Sequence, residues 1–154
     1  MRSQFFHEAS TPLLMQQEHV EELNMDTKPD VWRAVEVGDE SRVYQLLKSG
    51  SNLEERYRGW TPLMKAAEDN RLSIVQMLLI MGANINAVNK KGRSALSFAA
   101  APSQRRETAS AVLRHLLAWG ADASLLDTSC CTARIRAWKE GRREALAIFD
   151  EFGV

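Results

Sequence analysis

One motif returns along this chain and constrains it more than any other feature. Leu46-Leu47, Leu78-Leu79 and Leu116-Leu117 are each followed by two residues and a glycine (Gly50, Gly82, Gly120), then a small residue, then Asn52, Asn84 or Asp122. The glycines stand 32 and 38 residues apart. A second landmark keeps step with the first. Gly59-Trp60-Thr61-Pro62-Leu63 returns as Gly92-Arg93-Ser94-Ala95-Leu96 and Ala66-Ala67 as Ala99-Ala100, both shifted by 33. A degraded copy, Cys130-Cys131-Thr132-Ala133, follows 38 later, and Ala34-Val35 stands 32 before Ala66-Ala67. Two landmarks sharing one period mark a tandem repeat. A single unit of this length cannot hide its apolar face alone, so about three or more must stack.

Each unit reads as helix, tight turn, helix and extended turn. Thr61-Pro62 opens a helix over roughly 62–69, with a hydroxyl available to cap and proline at the first helical position, where its missing N–H is no loss. The small Ala66-Ala67 pair admits a neighbouring helix closely, and Asp69-Asn70 turns the chain. Ile74, Val75, Leu78 and Leu79 have the spacing of a broad apolar helical face. Gly82 suits the left-handed position that ends the second helix, and residues 84–92 form the turn into the next unit.

A chain of 154 residues suits one domain, and its 20 basic and 20 acidic residues leave no net charge. That balance argues against nucleic acid as a partner, since neutralising phosphates needs clustered positive charge. The first 29 residues carry Arg2 and Lys28 against Glu8, Glu18, Glu21, Glu22 and Asp26, a mildly acidic leader. Cys130 and Cys131 are adjacent and offer no disulfide framework, so an intracellular site, cytoplasmic or nuclear, is expected. Neither a signal peptide nor a membrane span is read in the sequence.

With these landmarks in place, the chain resembles the ankyrin repeat family. The likeness is best over residues 59–87, where Thr61-Pro62-Leu63, Ala66-Ala67, Leu78-Leu79 and Gly82-Ala83-Asn84 match the family pattern, and it extends over about 30–154. The resemblance implies an all-α solenoid of stacked helix-turn-helix units joined by β-turn or hairpin loops. The expected units are about 29–55, 56–88, 89–126 and 127–154, after a leader of residues 1–28. Leu13, Gln17, Val20 and Leu23 hint at one helical stripe there, as either a frayed tail or a segment that folds against the groove or a partner.

The chain departs from the family at several points. The histidine that follows leucine in the family pattern is Met64, Ser97 and Ile135 here, and the last turn glycine is Cys130. The third unit has five extra residues, placed between its helices around Ala101-Pro102-Ser103-Gln104-Arg105-Arg106. Arg134, Arg136, Lys139, Arg142 and Arg143 suit the polar outer face of a terminal repeat, with Ala145, Leu146, Ile148 and Phe149 facing inward.

No constellation for catalysis, metal or cofactor binding is read in the chain; His7, His19 and His115 lie far apart. The function implied by the resemblance is a non-catalytic protein–protein interaction module, expected to be monomeric, that holds a partner in a groove of turn tips and first-helix faces. Carried onto this chain, the groove positions are Tyr57, Arg58, Trp60, Lys65, Glu68 and Asp69, then Lys90, Lys91, Arg93 and Phe98. Tyr, Trp and Arg often dominate interface energy. Trp60 is expected to be exposed on its turn, Phe98 to face either a ligand or the next repeat, and Trp32, Trp119 and Trp138 to pack between helices. The alternative is a regulatory or targeting subunit of an enzyme complex docking through the leader. Arg105, Arg106, Arg114, Arg134, Arg136, Arg142 and Arg143 form a basic patch, read chiefly as a solvated cap, and Arg105-Arg106-Glu107-Thr108 resembles a basophilic kinase site.

Overall fold

The computed structural model describes residues 27–103 and 109–154. The leader up to residue 26, with its Leu13–Leu23 stripe, and the segment holding Arg105, Arg106 and Thr108 lie outside the described residues. Eight helices occur among those described. They are α1 (Asp30–Val37), α2 (Glu40–Lys48), α3 (Pro62–Glu68), α4 (Leu72–Ile80), α5 (Ala95–Ala100), α6 (Ala109–Ala118), α7 (Ala133–Lys139) and α8 (Arg143–Phe152). None is long and apolar enough to cross a membrane.

The helices form four antiparallel pairs. The first helices α1, α3, α5 and α7 stack in one layer, and α2, α4, α6 and α8 stack in the other. The packed core runs without a break between the layers, from Val31 and Val35 through Leu63, Leu78, Leu96 and Leu116 to Ile148 and Phe149. Ala66 and Ala99 are buried where α1, α3, α5 and α7 touch, which is the small-residue contact expected of them. This is the expected all-α solenoid.

Local chemistry explains why the motifs recur. Thr61, Ser94 and Thr132 occupy the same N-cap position, and each hydroxyl accepts from the backbone N–H three residues on, at Met64 (3.2 Å), Ser97 (3.4 Å) and Ile135 (3.2 Å). The Leu-Leu-x-x-Gly motif ends the second helices. Gly82, at φ 96°, donates to the Leu79 carbonyl and Ala83 to the Leu78 carbonyl. That pair of bonds is a Schellman closure, and the same carbonyls accept at Leu46-Leu47 and Leu116-Leu117.

The Asn/Asp that follows each glycine has two tasks. Asn52, Asn84 and Asp122 each accept the N–H of the residue two on, at 2.9, 3.0 and 2.9 Å. In the first two of these turns that residue's side chain then reaches forward one repeat. Glu54 accepts from Asn84 N–H at 2.7 Å, and Asn86 accepts from Asp122 N–H at 2.8 Å. A ladder of hydrogen bonds thus links one turn to the next. Arg56 adds a strut by donating to the Val88 carbonyl at 2.7 Å, and Thr128 N–H donates to the Lys91 carbonyl at 3.0 Å.

Two tryptophans depart from the sequence expectation. Trp119 is 47% exposed at the end of α6, and Trp138 is 68% exposed on α7. Trp138 falls where α3 and α5 carry Ala67 and Ala100, both buried, yet among the described residues no further helix pair packs beyond α7 and α8. Trp32 is buried as expected, and so are Ala145, Ile148 and Phe149. The extra length of the third unit lies between α5 and α6, at the end of α5 away from its hairpin.

Candidate functional site

Tyr57 and Trp60 face each other across a tight hairpin and exchange both backbone hydrogen bonds at 3.0 Å. Residues paired this way project to the same side of a ladder. Arg58, at the tip, takes a left-handed backbone at φ 52° and is exposed. Thr61 then caps α3, whose short run of residues sets Lys65 and Glu68 beneath the hairpin.

These residues converge. Tyr57, Arg58, Trp60, Lys65 and Glu68, together with Lys28, Trp32 and Glu36 from the preceding repeat, line one cleft of about 380 Å³. The Trp32 and Tyr57 ring centroids are 4.9 Å apart, with the planes inclined at 57°. The Lys28 ammonium stands 5.5 Å from both centroids and pairs with Glu36 at 2.8 Å. Lys65 stands 5.7 Å from the Trp32 centroid and pairs with Asp69 at 3.0 Å. Lys28 falls in the segment expected as leader and Trp32 among residues expected to pack between helices, yet both line this cleft. Trp32 stands on α1 and Lys65 on α3, neighbouring helices of one layer, and it is this packing that brings them together.

Other placements correct the sequence expectation. Trp60 is not a free side chain on a turn: it is half-buried against the core, and its ring lies 4.1 Å from that of Phe98. Phe98 is 4% exposed and Glu68 8%, so both shape the face from beneath. The Glu68 Oε1 accepts from Ser103 N–H at 2.7 Å, whereas its buried Oε2 has no hydrogen-bond partner, and neither has the Trp32 indole N–H.

The next hairpin brings a second group. Lys90 and Lys91 are exposed at its tip, and Arg93 is half-buried. Asn89 organises this turn by accepting the Lys91 and Arg93 N–H groups at 2.9 and 3.0 Å. The Lys90 stem passes over Gly59, which connects the two tips. In the last turn Asp127 replaces Asn89, is buried, and accepts from Ser129 N–H (2.8 Å), Cys131 N–H (3.0 Å) and the Arg136 guanidinium. Burial alone raises its carboxyl pKa, but the Arg136 guanidinium and the two N–H groups outweigh it and hold it below the ordinary aspartate value.

Among the described residues, three arginines of the basic patch pair with acids. Arg114 pairs with Glu151, Arg134 with Asp150 at 2.5 Å, Arg136 with Asp127, and Arg142 donates to the Pro102 carbonyl at 3.0 Å. The cysteine doublet divides: Cys130 is exposed, and Cys131 is buried with its sulfur 3.1 Å from Lys139 Nζ.

Comparison with known proteins agrees with this architecture. Residues 31–127 match the family model described as ankyrin repeats (3 copies). A putative ankyrin repeat protein of Acanthamoeba polyphaga mimivirus is 38% identical over 58% of this chain and 12% of its own length. The ankyrin repeat, SAM and basic leucine zipper domain-containing protein 1 of Dasypus novemcinctus is 30% identical over 79% of this chain and 26% of its own. The mouse B-cell lymphoma 3 protein homolog is 36% identical over 67% of this chain and 23% of its own. The chain therefore spans about a quarter or less of the length of these relatives.

Proposed function

Because the chain belongs to the ankyrin repeat family, we propose that it is a non-catalytic module that holds another protein against the face built from its hairpin tips and first helices. Ankyrin repeats generally mediate protein–protein interaction, and this chain carries the side chains for it on one side. The observation that carries the reading is the convergence of Tyr57, Arg58, Trp60 and Lys65 on one cleft, continued by Lys90 and Lys91 on the neighbouring tip. Aromatic and arginine side chains set in a rigid frame supply much area and little ordering loss on binding. The turn ladder from Glu54 to Asp122 supplies that frame.

The test is capture of a partner by the full chain and by variants. Tyr57→Ala with Trp60→Ala removes the aromatic wall. Arg58→Ala with Lys91→Ala removes exposed tips and leaves the core untouched. Loss of capture in both, with the fold retained by circular dichroism, is the expected result. Capture undiminished in both variants would overturn the assignment of this face.

A further inference from the structure

We propose that the cleft framed by Trp32, Tyr57 and Trp60 receives an arginine side chain of the partner, with its guanidinium against the aromatic wall and hydrogen-bonded to Glu68 Oε2. This rests on the protein-binding reading above and specifies the chemistry of what is bound.

The Glu68 carboxyl carries the argument. It is more than nine-tenths buried, one oxygen is satisfied by Ser103 N–H, and the other has no donor although the residue lines the cleft. Buried acceptors in native proteins nearly always have a partner, so an orphan on a residue that lines a cleft points to a donor that arrives with a ligand. The wall above it already favours cations, as the ammonium groups of Lys28 and Lys65 lie 5.5–5.7 Å from its ring centroids and the Arg58 guanidinium carbon lies 5.3 Å from that of Tyr57. Those two lysines are neutralised by Glu36 and Asp69 and do not reach Glu68.

Arginine meets both demands together. Its planar guanidinium stacks on aromatic faces and presents a fork of N–H donors to a carboxylate. A quaternary ammonium satisfies the rings but has no N–H for Glu68. An acidic side chain has no donor for Oε2 and meets a carboxyl of like charge. A cleft of about 380 Å³ holds one such side chain.

The test uses the indole N–H signals of the ¹⁵N-labelled 154-residue chain. Titration with N-acetyl-arginine amide is expected to shift the Trp32 and Trp60 signals saturably and to leave the exposed Trp119 and Trp138 in place. Glu68→Gln retains an acceptor for Ser103 N–H, and Glu68→Asp retains the charge at a shorter reach. Each should weaken binding roughly tenfold or more while the spectrum stays that of a folded chain. The proposal is overturned if N-acetyl-trimethyllysine amide or N-acetyl-glutamate amide binds as tightly, or if both Glu68 variants bind like the parent. A captured partner that depends on Tyr57 and Trp60 but tolerates both Glu68 variants would leave the binding face standing and sink the arginine site alone.

Discussion

The ring of Trp60 lies 4.1 Å from the ring of Phe98, centroid to centroid, with the two planes inclined at 32°. One belongs to the hairpin before α3 and the other to α5, so the contact ties the candidate binding face of one repeat to the core of the next. Neighbouring repeats hold each other up in a solenoid, because each supplies the surface against which the other is buried.

Phe98→Ala should therefore weaken both the fold and the face. A buried phenylalanine cut to alanine costs about 3–5 kcal/mol. Trp60→Ala, at a half-buried position, should cost less, about 1–3 kcal/mol, as only part of its area leaves contact. Urea denaturation followed by far-ultraviolet dichroism measures both. Equal losses in the two variants would mean that Trp60 is as much a core residue as Phe98.

Asp127 makes stability sensitive to acid. Its carboxyl is held below the ordinary aspartate value in the folded chain, so the contribution is complete above about pH 4, the unfolded pKa, and fades as pH falls through the folded one. Asp127→Asn should lower stability by about 1–3 kcal/mol at pH 7 by stranding the Arg136 guanidinium. The gap between variant and parent should narrow as pH drops below 4. Thermal melts from pH 2.5 to 7 read this directly, and a gap that stays constant across the range contradicts it.

Two glycines should respond unequally to alanine. Both have a left-handed backbone, with Gly82 at φ 96° and Gly92 at φ 70°. At Gly82 an added methyl meets open space, so the backbone penalty of about 1–2 kcal/mol is the whole effect. At Gly92 it would stand 3.0 Å from the Asp127 Cα and 3.2 Å from the Leu126 carbonyl, both main-chain atoms that cannot swing aside. Gly92→Ala should therefore cost about 1 kcal/mol more. Chemical denaturation of the two variants side by side checks the order.

Trp138 and Ala67 should show opposite tolerance although they share a register position. Trp138→Ala removes a side chain that is mostly in solvent, and a change of under about 1 kcal/mol is expected. Ala67→Trp forces an indole between packed helices and should cost about 3 kcal/mol or more. Melting temperatures decide the matter.

Much of this architecture could be read from period alone. The caps at Thr61, Ser94 and Thr132, the closures at the three Leu-Leu pairs and the placement of the extra residues after α5 all follow from local chemistry that the motif states outright. What could not be read was contact between repeats. Trp60 looks free when only its own turn is considered, because Phe98, which covers it, lies 38 positions further on. Trp138 looks buried for the converse reason, as its register position is filled in α3 and α5 by residues that a following helix covers. The lining of the cleft divides in the same way. Tyr57, Arg58, Trp60, Lys65 and Glu68 were identified from the family pattern, whereas Lys28, Trp32 and Glu36 required knowing which neighbour leans against them.

The rung from Glu54 to Asn84 and its successor from Asn86 to Asp122 bear on evolution as much as on shape. The first rung joins copies 32 residues apart and the second joins copies 38 apart, yet both close at nearly the same length. The extra sequence falls between α5 and α6, and the spacing of successive hairpins is preserved. Repeat length and hairpin spacing are thus separate variables in this fold, the second held by the rungs.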